Sequence, residues 1–591
     1  MKKRPNPAPL LWLFALGYPG WRASAQFPPF FELSGLDGRN GFAINGFREE
    51  ERAGTSIASL PDIDADGYDD LIIGALGYLP DPYSPGIIGK AYVVFGAPGV
   101  RRSGAVELGL LNGKNGFVID GLWPPDLFGQ RVSFTGDVNK DGLSDFLVGA
   151  PVASPGGMLG AGQVWVFFGD EEIGRSGRMS PSSLNGTNGF SLTGIARYDD
   201  AGDSAAFVGD LNTDGYEDFA VGAAYANPGG RGNAGQVYVV FGGPTIAGPA
   251  VRSFASLDGT NGLIINGIAP ADYSGWSVAG AGDVNADGVD DFVIGARLAD
   301  PPGRTDAGQG YVVFGAEGIG ASGVIELSSL DGSNGFTING VAAGQRYGQY
   351  VAGVGDVNAD GIDDLAVGPG VAQHAYVIFG RERLGEQGVI ELSGLTGSDG
   401  FAVRLRYGLA THGVLAGRID LNADGIADLV VANPPESVGG VPQVGETYVV
   451  YGRTGLGASG YLDATILDGR EGFTLVGIDL GDEAGTRLSS AGDLNADGIE
   501  DLAVGAPRAT PPGAPFRAGQ TYIVFGRRLG DLDLDADVDV ADFLVFQRCY
   551  SGKGNPPTPE CPTDVVSDFD YDSDVDLADF LIFQQNFTGS R

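Results

Sequence analysis

The chain has 591 residues, with 75 acidic against 36 basic side chains and a net charge of −39. That balance excludes nucleic-acid binding, which needs a basic footprint, and an anionic membrane surface as partner. Two Cys and two His exclude a zinc cluster, a haem site and a thiol framework, while 101 Gly and 34 Pro beside 43% hydrophobic residues fit many short strands joined by tight turns.

In chain order, residues 1–25 read as an export signal. Lys2, Lys3 and Arg4 form a basic start, Leu10 to Tyr18 an apolar stretch too short to span a bilayer, and Ala23-Ser24-Ala25 a cleavage site before Gln26. The expected location is secreted, extracellular or at the cell surface. There Cys549 and Cys561 meet conditions in which a disulfide can persist, and their pairing stays open.

Residues 26–528 are governed by a repeat. A nine-residue acidic loop recurs seven times, with starts 75, 73, 73, 73, 64 and 73 residues apart. Its positions 1, 3, 5 and 9 are Asp62, Asp64, Asp66 and Asp70 in the first copy and Asp137, Asn139, Asp141 and Asp145 in the second. They are Asp210, Asn212, Asp214 and Asp218 in the third, then Asp283, Asn285, Asp287 and Asp291. The last three copies carry Asp356, Asn358, Asp360 and Asp364; Asp420, Asn422, Asp424 and Asp428; and Asp493, Asn495, Asp497 and Asp501. Each period holds four strand signals: a small-residue run, an apolar run after the loop, a YVVFG-like run and a GFxIxG-like run. Four antiparallel strands repeated seven times predict an all-β, seven-bladed propeller. The chain opens with a spare GFxIxG strand around Phe42 and closes on Tyr522–Gly526 without one, so residues Phe31–Phe47 are expected to pair there and close the ring.

The loop chemistry points to a metal. Oxygen-only, mostly anionic ligands select a hard cation, Ca²⁺ above others, and Gly at position 6 permits the turn that gathers them. The pattern FG…GAP around such a loop resembles FG-GAP repeats, the propeller of integrin α chains and bacterial relatives. FG stands at Phe95, Phe168, Phe241, Phe314, Phe379 and Phe525, with Tyr451 substituting once, and GAP is intact at Gly149–Pro151 and Gly505–Pro507. The resemblance covers about residues 27–528 and implies Ca²⁺ in the hairpin between a blade's first two strands, about seven ions in all, with adhesion or ligand binding as function.

Residues 529–591 form a different module, expected to be small, α-helical and EF-hand-like. Two copies of a loop followed by an apolar helix place Asp531, Asp533, Asp535 and Asp542, then Asp568, Asp570, Asp572 and Asp579, at ligand positions, for about two further Ca²⁺. Position 6 of these loops is Ala536 or Ser573 instead of Gly. Paired units of this kind resemble dockerins, which implies a cohesin-like scaffold as partner; a calcium-stabilised cap without a partner is the alternative.

No H-E-x-x-H or Walker motif occurs, and His374 and His412 read as surface or packing residues. The reading is therefore a non-catalytic, calcium-binding extracellular protein that takes a protein or glycan ligand or is tethered by its tail. A dockerin-borne polysaccharide lyase or glycoside hydrolase is the alternative. Ligand recognition is expected on the face opposite the calcium loops, at Trp123, Asp126, Phe128, Tyr198, Asp199, Asp200, Asp272, Tyr273, Trp276, Arg346 and Tyr347. The shortened connection between Gly368 and Tyr376 is expected to notch that rim.

Overall fold

A computed structural model describes residues 27–77, 88–97, 104–406, 415–433, 444–535, 537–561, 567–569 and 574–588. The export signal, His412, Ala536, Asp570, Asp572 and Ser573 lie outside the described residues.

Each acidic loop joins a small-residue strand to an apolar one. The first strand lines the axis because Gly, Ala and Ser let neighbouring blades approach closely. In blade two it is Arg131–Gly136, followed by Asp145–Ala150, Gln163–Phe167 and the outer strand Gly189–Thr193, all antiparallel. First strands from all seven blades touch in a closed circle, Ala53–Leu60 meeting both Arg131–Gly136 and Arg487–Gly492. The second strands are buried along their whole length, which is why they read as unbroken apolar runs and not as alternation. The cores lie between blades, as seven apolar clusters; one joins Phe95 and Phe117 of blade one to Phe146 and Trp165 of blade two.

The FG motif has a defined use here. Its aromatic ring packs on the GFxIxG Phe of the same blade, as Phe95 on Phe117 and Phe168 on Phe190, with centroids 5.7 and 5.9 Å apart. Its glycine passes so near the acidic loop that a Cβ on Gly96 would sit 2.1 Å from the Asp69 carbonyl oxygen.

Every blade has five strands, not four. The fifth is a strap of two or three residues, supplied by the following repeat and running parallel to the outer strand. Ala105–Glu107, Arg178–Met179, Val251–Ser253, Val324–Glu326, Val389–Glu391 and Tyr461–Asp463 each reach back this way. Ring closure follows the same logic and narrows the expected pairing. Gly41–Asn45 pairs antiparallel with Gln520–Val524, with Phe42 opposite Ile523. Phe30–Glu32 instead straps blade six, parallel to Thr474–Val476, and Phe27 stacks on Phe473 at 4.1 Å.

In the tail, helices Val540–Cys549 and Leu577–Gln585 each start with a capping box, Asp539 with Asp542 and Asp576 with Asp579. They share a core of Phe546, Phe569 and Phe583. Cys549 and Cys561 form a disulfide.

Candidate metal loops and the opposite face

Six of the seven propeller loops share one internal geometry; in blade one Asp64 accepts the Asp66 N–H at 3.3 Å instead. In blade two the Asp137 carboxylate accepts the N–H groups of Asp141 and Gly142 at 3.0 and 2.8 Å, and Asp141 accepts that of Leu143 at 3.0 Å. Blades three, four, five, six and seven repeat the pattern, for example through Asp210 and Asp493. Position 4 takes a positive φ in all seven copies, from 55° at Ala423 to 62° at Ala496. Such a backbone costs about 1–3 kcal/mol outside glycine, so the carboxylate-to-amide bonds hold each loop in a turn that a free peptide avoids.

Position 9 is the most buried. Asp70, Asp145, Asp218, Asp291, Asp364, Asp428 and Asp501 expose no surface. Asp145 accepts the Val138 N–H on one oxygen at 3.0 Å and the Gly169 N–H, from the FG motif, on the other at 2.9 Å. The residue thus ties loop, second strand and third strand together. Burial, opposed by these hydrogen bonds, pushes the carboxyls of Asp145, Asp218, Asp291 and Asp364 up to about 8. A cation beside such a carboxylate would favour its ionised form.

The donor set fits Ca²⁺. Asp62, Asp64 and Asp66 converge within 4.8 Å in blade one, as do Asp531, Asp533 and Asp535 in the tail. Buried oxygens at the loop centres, Asp62 Oδ1, Asn285 Oδ1 and Asn358 Oδ1, have no hydrogen-bond donor among the described residues. Asp574, Asp576 and Asp579 make a second tail group. Asp542 and Asp579 double as helix caps, and Asp542 accepts the Leu532 and Asp533 N–H groups at 2.6 and 3.0 Å.

Position 8 escaped the sequence reading. It is acidic in five of the seven loops, and its side chain accepts the position-1 N–H of the preceding blade. Glu217 takes that of Asp137 at 2.5 Å, Asp363 that of Asp283 at 3.2 Å and Glu500 that of Asp420 at 3.3 Å. Asp69 takes that of Asp493 at 2.8 Å, across the closure. Four neighbouring pairs of loops are therefore linked.

On the opposite face the expected recognition residues divide. Trp123 and Tyr198 are 70% and 62% exposed, but Phe128 and Tyr347 are only 1% exposed and pack in inter-blade cores. Those two were misread because a large aromatic in a variable loop gives the same sequence signal whether it faces solvent or the neighbouring blade. Asp199 and Asp272 are also buried, each accepting a loop N–H, from Ala196 and Ala269. The connection shortened in blade five is reduced to residues 370–373. Asp200, Trp276 and Arg346 instead line a well of about 630 Å³ on the propeller axis. Its floor is a ring of inner-strand aliphatics, Ile57, Val278, Val351, Leu415 and Leu488, and its wall includes Arg131, Arg297 and Arg487. His374 is half-buried at the start of a third strand, beside Tyr461.

Comparison with known proteins agrees with this architecture. The FG-GAP repeat family matches residues 53–106, 128–167, 201–240, 274–313 and 484–524, which fall in blades one to four and seven. Integrin alpha-6 of Homo sapiens is 32% identical over 249 residues, 40% of this chain and 18% of that protein. Phosphatidylinositol-glycan-specific phospholipase D of Rattus norvegicus is 33% identical over 181 residues, 30% of this chain and 19% of that protein. The chain thus spans less than a fifth of the length of these relatives. A solved α-L-arabinofuranosidase from Fusarium graminearum shares 10% identity over 70% of this chain and 98% of its own, with a TM-score of 0.34, and bears no functional argument.

Proposed function

We propose that this FG-GAP, integrin-α-like propeller is a secreted, calcium-stabilised, non-catalytic binding protein that takes its ligand on the face opposite the acidic loops. The supporting observation is a division of labour between the faces. One carries seven near-identical acidic loops whose carboxylates accept backbone amides. The other carries a well whose lining changes from blade to blade, as recognition requires and a repeat does not.

In this reading Ca²⁺ is held by positions 1, 3, 5 and 9 of each propeller loop, through Asp and Asn oxygens, and supplies folding energy and no chemistry. Two further ions sit in the tail loops, on Asp531, Asp533, Asp535 and Asp542 and on Asp568, Asp570, Asp572 and Asp579. The tail, residues 529–591, is a separate module that docks a cohesin-like scaffold. A screen of calcium-loaded protein against glycans and secreted proteins, with and without the tail, tests both roles. Ligands captured equally by chelated and calcium-loaded protein would refute the calcium-dependent reading.

One observation favours an enzyme instead. Asp200 and Asp203 stand together in the well, and burial, with Asp203 and Asp199 nearby, lifts Asp200 to about 6, a range suited to acid–base work. Release of new reducing or unsaturated chain ends from polysaccharides would support that alternative.

A further inference from the structure

Six of the seven inner strands carry one equivalent position at the wall of the well, each paired with a glycine of the second strand. Ser56, Ser204 and Ser277 occupy it opposite Gly74, Gly222 and Gly295. There the hydroxyl donates to a backbone carbonyl of the next blade, Gly129, Gly275 or Gly348, at 3.1, 2.7 and 3.1 Å. Serine at this place is therefore structural: it satisfies a buried carbonyl between blades.

Three blades break the pattern. Arg131 stands opposite Gly149, Tyr350 opposite Gly368 and Arg487 opposite Gly505. Long side chains have replaced the inter-blade serine, and all three reach the well. Arg297 and Arg346 join them from loops, so four arginines face two aspartates, Asp200 and Asp203. In a chain with 75 acidic and 36 basic residues, that is a local inversion of charge.

The arginines are incompletely satisfied. None of the four lies within 4.0 Å of a carboxylate oxygen among the described residues. Arg131 Nε donates to the Asp203 carbonyl at 3.2 Å, and an Arg487 terminal nitrogen to the Thr486 carbonyl at 2.8 Å. The buried Nε atoms of Arg487 and Arg297 have no acceptor among the described residues. Arg297 lies 3.4 Å over the Trp276 ring. Burial and the neighbouring Arg487 lower Arg131 to about 10. Two half-buried guanidinium groups thus stand at the well wall with the Asp203 carboxylate as a shared but unbonded counter-charge, and their planar forks match an anion with two oxygens.

The geometry points to an acidic saccharide, its carboxylate or sulfate held by Arg131 and Arg487, as the ligand of this well. The proposal rests on the binding function argued above and names the ligand class. A sugar ring matches the remaining lining: Asp200 and Asp203 accept hydroxyl hydrogens, and the aliphatic floor with Trp276 and Tyr350 takes the C–H face. A free inorganic anion would leave that apolar floor and the two aspartates unused.

The test uses calorimetry on the calcium-loaded full chain with tri-galacturonate, a sulfated disaccharide, maltotriose and hexaglutamate. The expected result is binding of tri-galacturonate, the sulfated disaccharide or both, which identifies the anion, and none of maltotriose. Arg131→Ser and Arg487→Ser install the residue that three other blades carry, so the fold should persist. Each should weaken the acidic saccharide by about tenfold or more, since it removes a charge-assisted pair. Arg131→Lys, which keeps the charge and loses the fork, should fall between. Failure of both acidic saccharides to bind, or unchanged affinity in both serine variants, overturns the proposal. Binding of hexaglutamate alone overturns it too, and leaves the broader binding function standing.

Discussion

Phe42 offers a direct test of how the ring is closed. It lies in Gly41–Asn45, the outer strand of blade seven, exposes no surface and stands opposite Ile523 with its ring 5.7 Å from Phe525. Phe42→Ala removes the ring from a packed cluster that also holds Ile44, Leu71, Tyr92 and Ile523. Phe-to-Ala changes in such cores cost about 3–5 kcal/mol, a large fraction of the roughly 5–15 kcal/mol by which a folded unit is stable. Phe30, twelve residues earlier on the same segment, is 55% exposed, so Phe30→Ala should stay within about 0.5 kcal/mol. Urea unfolding in saturating calcium, followed by circular dichroism and fluorescence, measures both. With a slope above about 3 kcal/mol per molar for a chain of this size, Phe42→Ala should lower the midpoint by up to about 1.7 M and Phe30→Ala should leave it in place. Equal midpoints for Phe42→Ala and the unaltered protein would refute the closure, and so would equal damage from the two changes.

Three further outcomes are expected. Chelation should lower the melting temperature by many degrees, restored by added calcium; an unchanged transition would sink the seven-site reading. In chelator, Asp145, Asp218, Asp291 and Asp364 titrate near 8 when folded and near the ordinary 3.8 when unfolded. The folded chain then holds more protons between those values, so its stability is full below about pH 4 and drains away as pH rises through 8. Calcium keeps the groups ionised and should flatten that slope, as melting curves at pH 5, 6.5 and 8 would report. Deleting residues 26–47 strips the buried Phe27, Phe42 and Ile44 and opens two sheet edges. Size-exclusion chromatography should show aggregate, and a soluble monomer that unfolds cooperatively would count against the closure.

The loops and strands that sequence made legible are those with long, repeated signals: the nine-residue acidic loop, the apolar second strand, the YVVFG and GFxIxG runs. The straps were missed although their runs recur in register, from Phe30–Leu36 (FFELSGL) and Ala105–Leu111 (AVELGLL) to Val324–Leu330 (VIELSSL). Three residues, partly exposed, show no alternation to read, and pairing with another repeat's strand leaves no local trace. The position-8 acids were absorbed into the charge of a loop already taken as metal-binding, yet their 80-residue reach, as from Glu217 to Asp137, is a relation between blades. Arg131 and Arg487 carry no signal in the sequence, because only the strand register aligns them with Ser56, Ser204 and Ser277.

The hydrogen bond from Gln520 to Asn45 at 2.9 Å joins residues 475 positions apart. At a synthesis rate of about 5–20 residues per second, the two meet roughly 25–95 seconds after Asn45 is made. Throughout that interval Gly41–Asn45 lacks its antiparallel partner Gln520–Val524 and can pair only with the short strap Ala105–Glu107. The nascent chain therefore carries an adhesive ribbon at its front for most of its production. Cellular factors that hold unpaired strands apart, and not the intrinsic speed of any blade, are expected to set the yield of correctly closed rings.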